Sequence, residues 1–319
     1  MDAHYVLNPS GSDARSVATL WWGFLITTTI VYVLVTSAFW MAIQRARRRG
    51  DKASAGTARG DARSRVVVGI AMAATVLVLA GMLIADLRLG QAVLGEKLPA
   101  GDPVRIRVTA QQFWWQLEYP DVVASQQVVA ANELVVPVDR PIELELQSRD
   151  VIHSFWLPAL AGKKDLIPGI TNTLRFSVTR AGRYEGQCAE FCGYQHANMR
   201  TLLTAVSADE YEAWKAHQLA PGRNPVTEQE QRGRQVFETS TCGLCHSVRG
   251  TAASATVGPD LTHFGSRPRI AASPMPNTPG FLAAWITGPQ QLKPGTNMPA
   301  TSLPPADLGA LVTYLESLK

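Results

Sequence analysis

Apolar residues are arranged along this chain in two ways. The chain opens with two unbroken apolar runs. The first, Thr19 to Ile43, begins Thr-Leu-Trp-Trp-Gly-Phe-Leu-Ile and carries no charge. The second, Val66 to Ala85, is also uncharged and is closed by Asp86 and Arg88. Each run is long enough to cross about 30 Å of hydrocarbon as a helix. Trp21, Trp22 and Trp40 lie near the ends of the first run, where amphipathic rings favour the membrane–water boundary. From about Pro103 the pattern becomes alternation. Val104-Arg-Ile-Arg-Val-Thr, Ile142-Glu-Leu-Glu-Leu and Leu174-Arg-Phe-Ser-Val each predict a strand, with prolines and glycines between them. Several short strands with turns predict a β-sandwich. Ser207-Ala-Asp-Glu-Tyr-Glu-Ala-Trp-Lys starts with a capping serine and acidic residues, which predicts a helix. Gln218 to Pro225, with its prolines and glycine, reads as a linker.

At 319 residues the chain exceeds one ordinary domain. Charged residues make up only 18% and the formal net charge is +4, so nothing points to nucleic acid. Positive charge is concentrated between the apolar runs, in Arg45, Arg47, Arg48, Arg49, Lys52, Arg59, Arg63 and Arg65. The positive-inside rule places that segment in the cytoplasm and both termini outside. No basic region leads a short apolar segment at the N-terminus, so no cleavable signal is expected.

The candidate chemistry rests on all four cysteines. Cys188 and Cys192 stand with His196 and Met199 in one short segment, and His153 is available upstream in Asp150-Val-Ile-His153-Ser-Phe. Nitrogen and sulfur donors of this softness suit copper, not magnesium or calcium. Two cysteines so close can bridge two metal ions, letting one electron spread over both. A Cys188–Cys192 disulfide is the alternative, and it leaves the spacing of His196 and Met199 unexplained. Cys242-Gly-Leu-Cys245-His246 is the attachment signature of c-type haem, with His246 as an axial ligand. For the opposite ligand there are three candidates: Met298 in Lys-Pro-Gly-Thr-Asn-Met-Pro, Met275 in Ser-Pro-Met-Pro, and His263. His263 also reads as a surface or hydrogen-bonding residue, and His217 as a surface residue. Glu230 to Glu238 and Leu308 to Leu318 are the expected first and last helices of this region, with another helix-like run at Gly280 to Thr287.

The string Cys188-Ala-Glu-Phe-Cys192-Gly-Tyr-Gln-His196-Ala-Asn-Met199, preceded by His153-Ser-Phe, resembles the dinuclear copper loop of subunit II of haem–copper cytochrome c oxidases. Lys163-Lys-Asp-Leu-Ile-Pro-Gly169 and Tyr184-Glu-Gly-Gln187 resemble that family too. The resemblance implies that Cys188 and Cys192 bridge two coppers and that His153 and His196 bind one each. Met199 and the backbone carbonyl of Glu190 would be weak ligands, and the Glu190 carboxylate would reach a magnesium ion shared with subunit I. The Pro-Gly-Thr-x-Met-Pro string is similar to the cytochrome c loop and favours Met298 over Met275.

The layout so implied is a multidomain membrane protein. It has an external segment (1–18), a transmembrane hairpin (19–89) with a basic loop (44–65), a cupredoxin-like β-sandwich (101–217), a linker (218–226) and an all-α cytochrome c domain (227–319). The function implied is electron transfer into a proton-pumping, oxygen-reducing oxidase of a bacterial inner membrane. Subunit I and other oxidase subunits would be partners, and cytochrome c or a quinol-oxidising complex the donor. The alternatives are the electron-accepting subunit of a copper-containing nitric oxide reductase, or a copper-delivery protein. The chain departs from the family twice. Phe113, in Gln112-Phe-Trp-Trp115, stands where the family has the tryptophan that receives electrons, and Arg63-Ser-Arg65 lacks the carboxylate common at the start of the second span.

Overall fold

A computed structural model describes residues 6–49, 58–94 and 99–319. The chain divides into two units, Arg15–Lys97 and the remainder.

The first unit is helical. Helices α1 (Ser12–Arg49) and α2 (Ala58–Leu94) are both long and apolar enough to cross a membrane. At 38 residues α1 runs to roughly 57 Å, well beyond the hydrocarbon thickness. The helices therefore continue past the apolar runs into their polar flanks. This corrects the expected loop at 44–65, which is helical up to Arg49 and again from Ala58. Residues 50–57 of that loop and residues 1–5 of the expected external segment lie outside the described residues. Inside the apolar runs the hydroxyls of Thr19, Thr27, Thr28, Thr36 and Thr75 are satisfied within their own helices. Thr27 donates to the Gly23 carbonyl at 2.8 Å, Thr36 to Tyr32 at 2.7 Å and Thr75 to Ala71 at 2.9 Å. In lipid, where no water is on offer, that is the condition for a polar side chain to be tolerated.

The second unit begins with the β-sandwich. One sheet holds β1 (Val104–Gln111), β2 (Trp114–Tyr119), β3 (Val128–Ala131), β5 (Pro141–Ser148) and β8 (Asn172–Ser177), in the order β3-β2-β1-β5-β8. The other holds β4 (Glu133–Pro137), β6 (His153–Trp156), β7 (Lys164–Leu166), β9 (Gly182–Cys188) and β10 (Arg200–Val206), in the order β4-β10-β9-β6-β7. The alternation read from sequence decides the faces. Ile106, Val108, Ile142, Leu144 and Leu146 are buried with Trp115, Phe155 and Phe176 between the sheets. The intervening charges pair across strands on the outer face, Arg175 with Glu143 at 2.6 Å and Arg107 with Glu118 at 3.2 Å. Such exposed pairs contribute at most about 1 kcal/mol each, so register is set mainly by the buried face.

Helix α3 (Ala208–Leu219) follows β10. It is capped by Ser207, whose hydroxyl accepts from the Glu210 amide while the Glu210 carboxylate accepts from the Ser207 amide. It runs to Leu219, so the first residues of the expected linker are helical. The helical region comprises α4 (Glu228–Thr239), α5 (Pro279–Thr287), α6 (Pro289–Leu292) and α7 (Pro305–Ser317). Helices α4 and α7 cross at Gly233, where a Cβ would collide with the Ala310 carbonyl. Phe237 and Tyr314 pack beside that crossing. This region lies against the sandwich in the same compact unit. The Arg249 guanidinium donates to the carbonyls of Ser125, Gln127 and Leu219 at 3.2, 3.2 and 3.3 Å, and Arg269 pairs with the buried Glu185 at 2.5 Å.

Candidate copper and haem centres

Adjacent strands bring the first cluster together. His153 opens β6, Cys188 ends β9, and the loop between β9 and β10 carries Cys192, His196 and Met199. The loop base is closed by backbone bonds, from the Cys188 amide to the Met199 carbonyl and from the Ala189 amide to the Ser154 carbonyl, both 2.9 Å. The two sulfurs are 3.8 Å apart. Cys188 Sγ lies 3.9 Å from His153 Nδ1 and 3.2 Å from the Glu190 carbonyl oxygen. Cys192 Sγ lies 3.8 Å from His196 Nδ1 and 3.9 Å from Met199 Sδ. His153, both cysteines and Met199 are buried, and His196 is half-buried.

These donors form one soft cluster whose members converge on the sulfur pair, and they fit copper. The sulfur–sulfur hydrogen bond holds the Cys188 pKa down, to about 3, against the desolvation that raises it. The same contact pushes the Cys192 thiol up.

Two residues around the cluster were not singled out by sequence. Asp150 Oδ1 is 2.8 Å from His153 Nε2, which leaves Nδ1 facing the sulfurs. Asp150 also accepts from the Gln112 amide at 2.6 Å, and Gln112 Nε2 donates to the Cys192 carbonyl at 2.5 Å. The three-residue spacing of Asp150 and His153 was the available signal. The Glu190 carboxylate is half-exposed and pairs with Lys163 at 3.8 Å.

The second cluster lines one cavity. Cys242, Cys245, His246 and Met298 all face it, with Phe237 and Trp285 among the apolar walls. His246 Nδ1 donates to the Pro259 carbonyl at 2.7 Å, leaving Nε2 free for a metal. Burial holds this imidazole neutral by lowering its pKa. A Cβ on Gly258 would lie 2.6 Å from His246 Cε1, so only glycine admits the ring there. Paired thiols beside an imidazole, with a thioether on the wall of the same apolar cavity, fit a covalently attached haem. Met275 is not a cavity residue but packs into the neighbouring helical core. His263, expected at the surface or hydrogen-bonded, is 5% exposed and packs against His217, ring centroids 4.4 Å apart. The end of α3 covers it, a long-range contact without a local sequence signal.

The cavity is not closed by the helical region alone. Gln112, Phe113, Trp114 and Asn132 of the sandwich complete its wall. Phe113 is 4% exposed. A Cβ built on Gly193, next to Cys192, would lie 3.3 Å from its ring, and one on Gly295, in the Met298 loop, 3.7 Å from the same ring. The phenyl group therefore packs between the copper loop and the methionine loop.

Residues 104–206 match the family described as "Cytochrome C oxidase subunit II, periplasmic domain", and residues 230–319 match "Cytochrome c". A cytochrome c oxidase subunit 2 of Alkalihalophilus pseudofirmus is 35% identical over 98% of this chain and 90% of its own. Another from Bacillus subtilis is 32% identical over 69% of this chain and 64% of its own. Among solved structures, the periplasmic domain of subunit II of the Bradyrhizobium japonicum oxidase is 32% identical, covers 38% of this chain and 96% of that one, and has a TM-score of 0.35.

Proposed function

The chain belongs to the cytochrome c oxidase subunit II family and carries a cytochrome c domain, and from that premise we propose that its haem domain is the internal electron donor to its copper centre. Membership makes the chain an electron-transfer subunit of a haem–copper terminal oxidase, with copper A and haem c as its implied cofactors and other oxidase subunits as its partners. The observation that carries the internal route is the position of Phe113, buried beneath the haem domain and packed between both loops. A soluble donor has no access to that face.

When bound, the cofactors supply one-electron redox chemistry, from a cytochrome c or quinol-oxidising complex through haem and copper to subunit I, where oxygen is reduced with proton pumping. The chain's own residues hold and orient them. Cys242 and Cys245 would attach the haem, with His246 and Met298 as its iron ligands. Cys188, Cys192, His153 and His196 would hold the copper pair, with Met199 and the Glu190 carbonyl as weaker donors. The Glu190 carboxylate would serve a magnesium ion shared with subunit I. Ligands fixed at strand ends limit rearrangement when the charge changes. In the proposed layout, α1 and α2 span a bacterial inner membrane with the basic segment in the cytoplasm. Both termini and both cofactor domains (101–217 and 227–319, joined by 218–226) lie outside.

Rapid mixing of the complex with its donor tests the route. Haem absorbance is expected to change before copper absorbance. Met298→Ala should keep the haem attached but lower its potential and delay copper reduction, whereas Met275→Ala should alter neither. Copper reduced first in the unaltered protein would refute the internal route. Labelling in oriented vesicles tests the topology: a cysteine at exposed Asn224 should react only from outside and one at exposed Arg47 only from the cytoplasmic side. Reversal of that pattern would overturn the orientation.

A further inference from the structure

Lys293 is only 2% exposed, and no carboxylate pairs with it among the described residues. Its ammonium donates to the carbonyls of Ala271 at 2.6 Å, Phe113 at 2.8 Å and Asn198 at 3.0 Å. An ammonium has three protons and no acceptor, so this arrangement satisfies the group completely. The acceptors come from three separate segments. Phe113 is the residue packed between the two loops, Asn198 directly precedes Met199, and Ala271 belongs to the haem domain. Lys293 itself heads the loop that ends at Met298.

The surrounding backbone is shaped to meet it. Ala271 and Ala272 both adopt positive φ, 57° and 52°, which for alanine costs on the order of 1 kcal/mol each. Both carbonyls are used at the seam, that of Ala271 by Lys293 and that of Ala272 by the Arg200 amide at 2.8 Å. Gln195 Nε2 adds a bond to the Pro294 carbonyl at 3.0 Å. A strained turn, a buried cation and the copper loop are thus tied at one point.

We propose that Lys293 is a positioning residue for internal electron transfer, a three-pronged latch that fixes the methionine loop of the haem domain against the copper loop. The inference rests on the internal route proposed above and adds the group that sets its geometry. Without the ammonium three carbonyls lose their buried donor, and the two loops are held together less firmly. Misplacement of reacting groups by as little as about 1 Å is felt as a large loss of rate.

The test uses the full oxidase complex with Lys293→Met, which keeps length and loses every donor. Haem and copper contents and the donor-to-haem rate should match the unaltered protein. Haem-to-copper transfer should slow by roughly tenfold or more, and the Arg200 amide should exchange its hydrogen faster. If Lys293→Met fails to assemble, Lys293→Gln is measured against the same two criteria. An unchanged haem-to-copper rate, or an Arg200 amide as protected as before, overturns the latch. Failure of the route itself looks different: copper would be reduced before haem in the unaltered protein, while Arg200 exchange would still report on the latch.

Discussion

Replacing Cys192 by serine is expected to abolish the proposed dinuclear copper centre and, with it, oxygen uptake. Cys192 Sγ is the atom on which the cluster converges, within 3.8–3.9 Å of Cys188 Sγ, His196 Nδ1 and Met199 Sδ. A serine hydroxyl is a harder donor, remains protonated at neutral pH and cannot bridge soft metal ions as a thiolate does. Metal analysis should show the copper pair lost, the near-infrared absorption should vanish, and turnover should fall on the order of a thousandfold or more, as when an essential member of a cooperating unit is removed. The haem should remain, because Cys242 and Cys245 line a separate cavity. Met199→Leu should be milder, keeping the copper and shifting its potential, since a thioether is a weak ligand. A copper pair retained with an unaltered spectrum in Cys192→Ser would refute the assignment.

Ending the chain after Pro225 is expected to leave the copper spectrum intact and to cut turnover with the native donor on the order of a hundredfold or more. A covalent tether holds the donor at an effective concentration of roughly millimolar, and truncation removes that advantage. The sandwich should survive. Its core of Trp115, Phe155 and Phe176 lies between its own sheets, and the carbonyls of Ser125, Gln127, Phe113 and Asn198 can all be taken up by water once uncovered. Oxygen uptake before and after truncation, with copper absorbance as the control, decides the matter. Full activity in the short form would mean that the fused domain lies off the electron route.

Both candidate donor clusters were largely legible in the sequence because most of their donors are local. Cys188, Cys192, His196 and Met199 fall within twelve consecutive residues, and Cys242, Cys245 and His246 within five. The strands were legible wherever one face is buried and the other wet, as in Ile142-Glu-Leu-Glu-Leu. The helix ends of α1 and α2 were harder, because apolarity marks the lipid-crossing stretch and not where the helical hydrogen bonds stop. What the sequence concealed is the seam between the sandwich and the helical domain. Lys293 and Phe113 are 180 positions apart, and the acceptors are backbone carbonyls, which every residue type carries. Gln218 to Pro225 reads as a loose tether, yet Gly222 bonds to the Arg249 carbonyl at 2.8 Å and the domains pack together. The surface reading of His263 fails for the same reason, since His217 from another element packs over it.

The seam is also lopsided in a way that bears on inheritance. On the haem side it is written in side chains, chiefly Arg249 and Lys293. On the copper side both address main-chain oxygens, so substitutions at Ser125, Gln127 or Asn198 that keep the backbone path keep the bonds. Glu185 and Gln195 are exceptions, because Arg269 needs the Glu185 carboxylate and the Gln195 amide donates to the Pro294 carbonyl. Over evolutionary time the copper face is therefore free to drift at most of its contact positions while the haem domain keeps its grip. Because both faces are encoded in one gene, any compensating change is transmitted with the change it repairs.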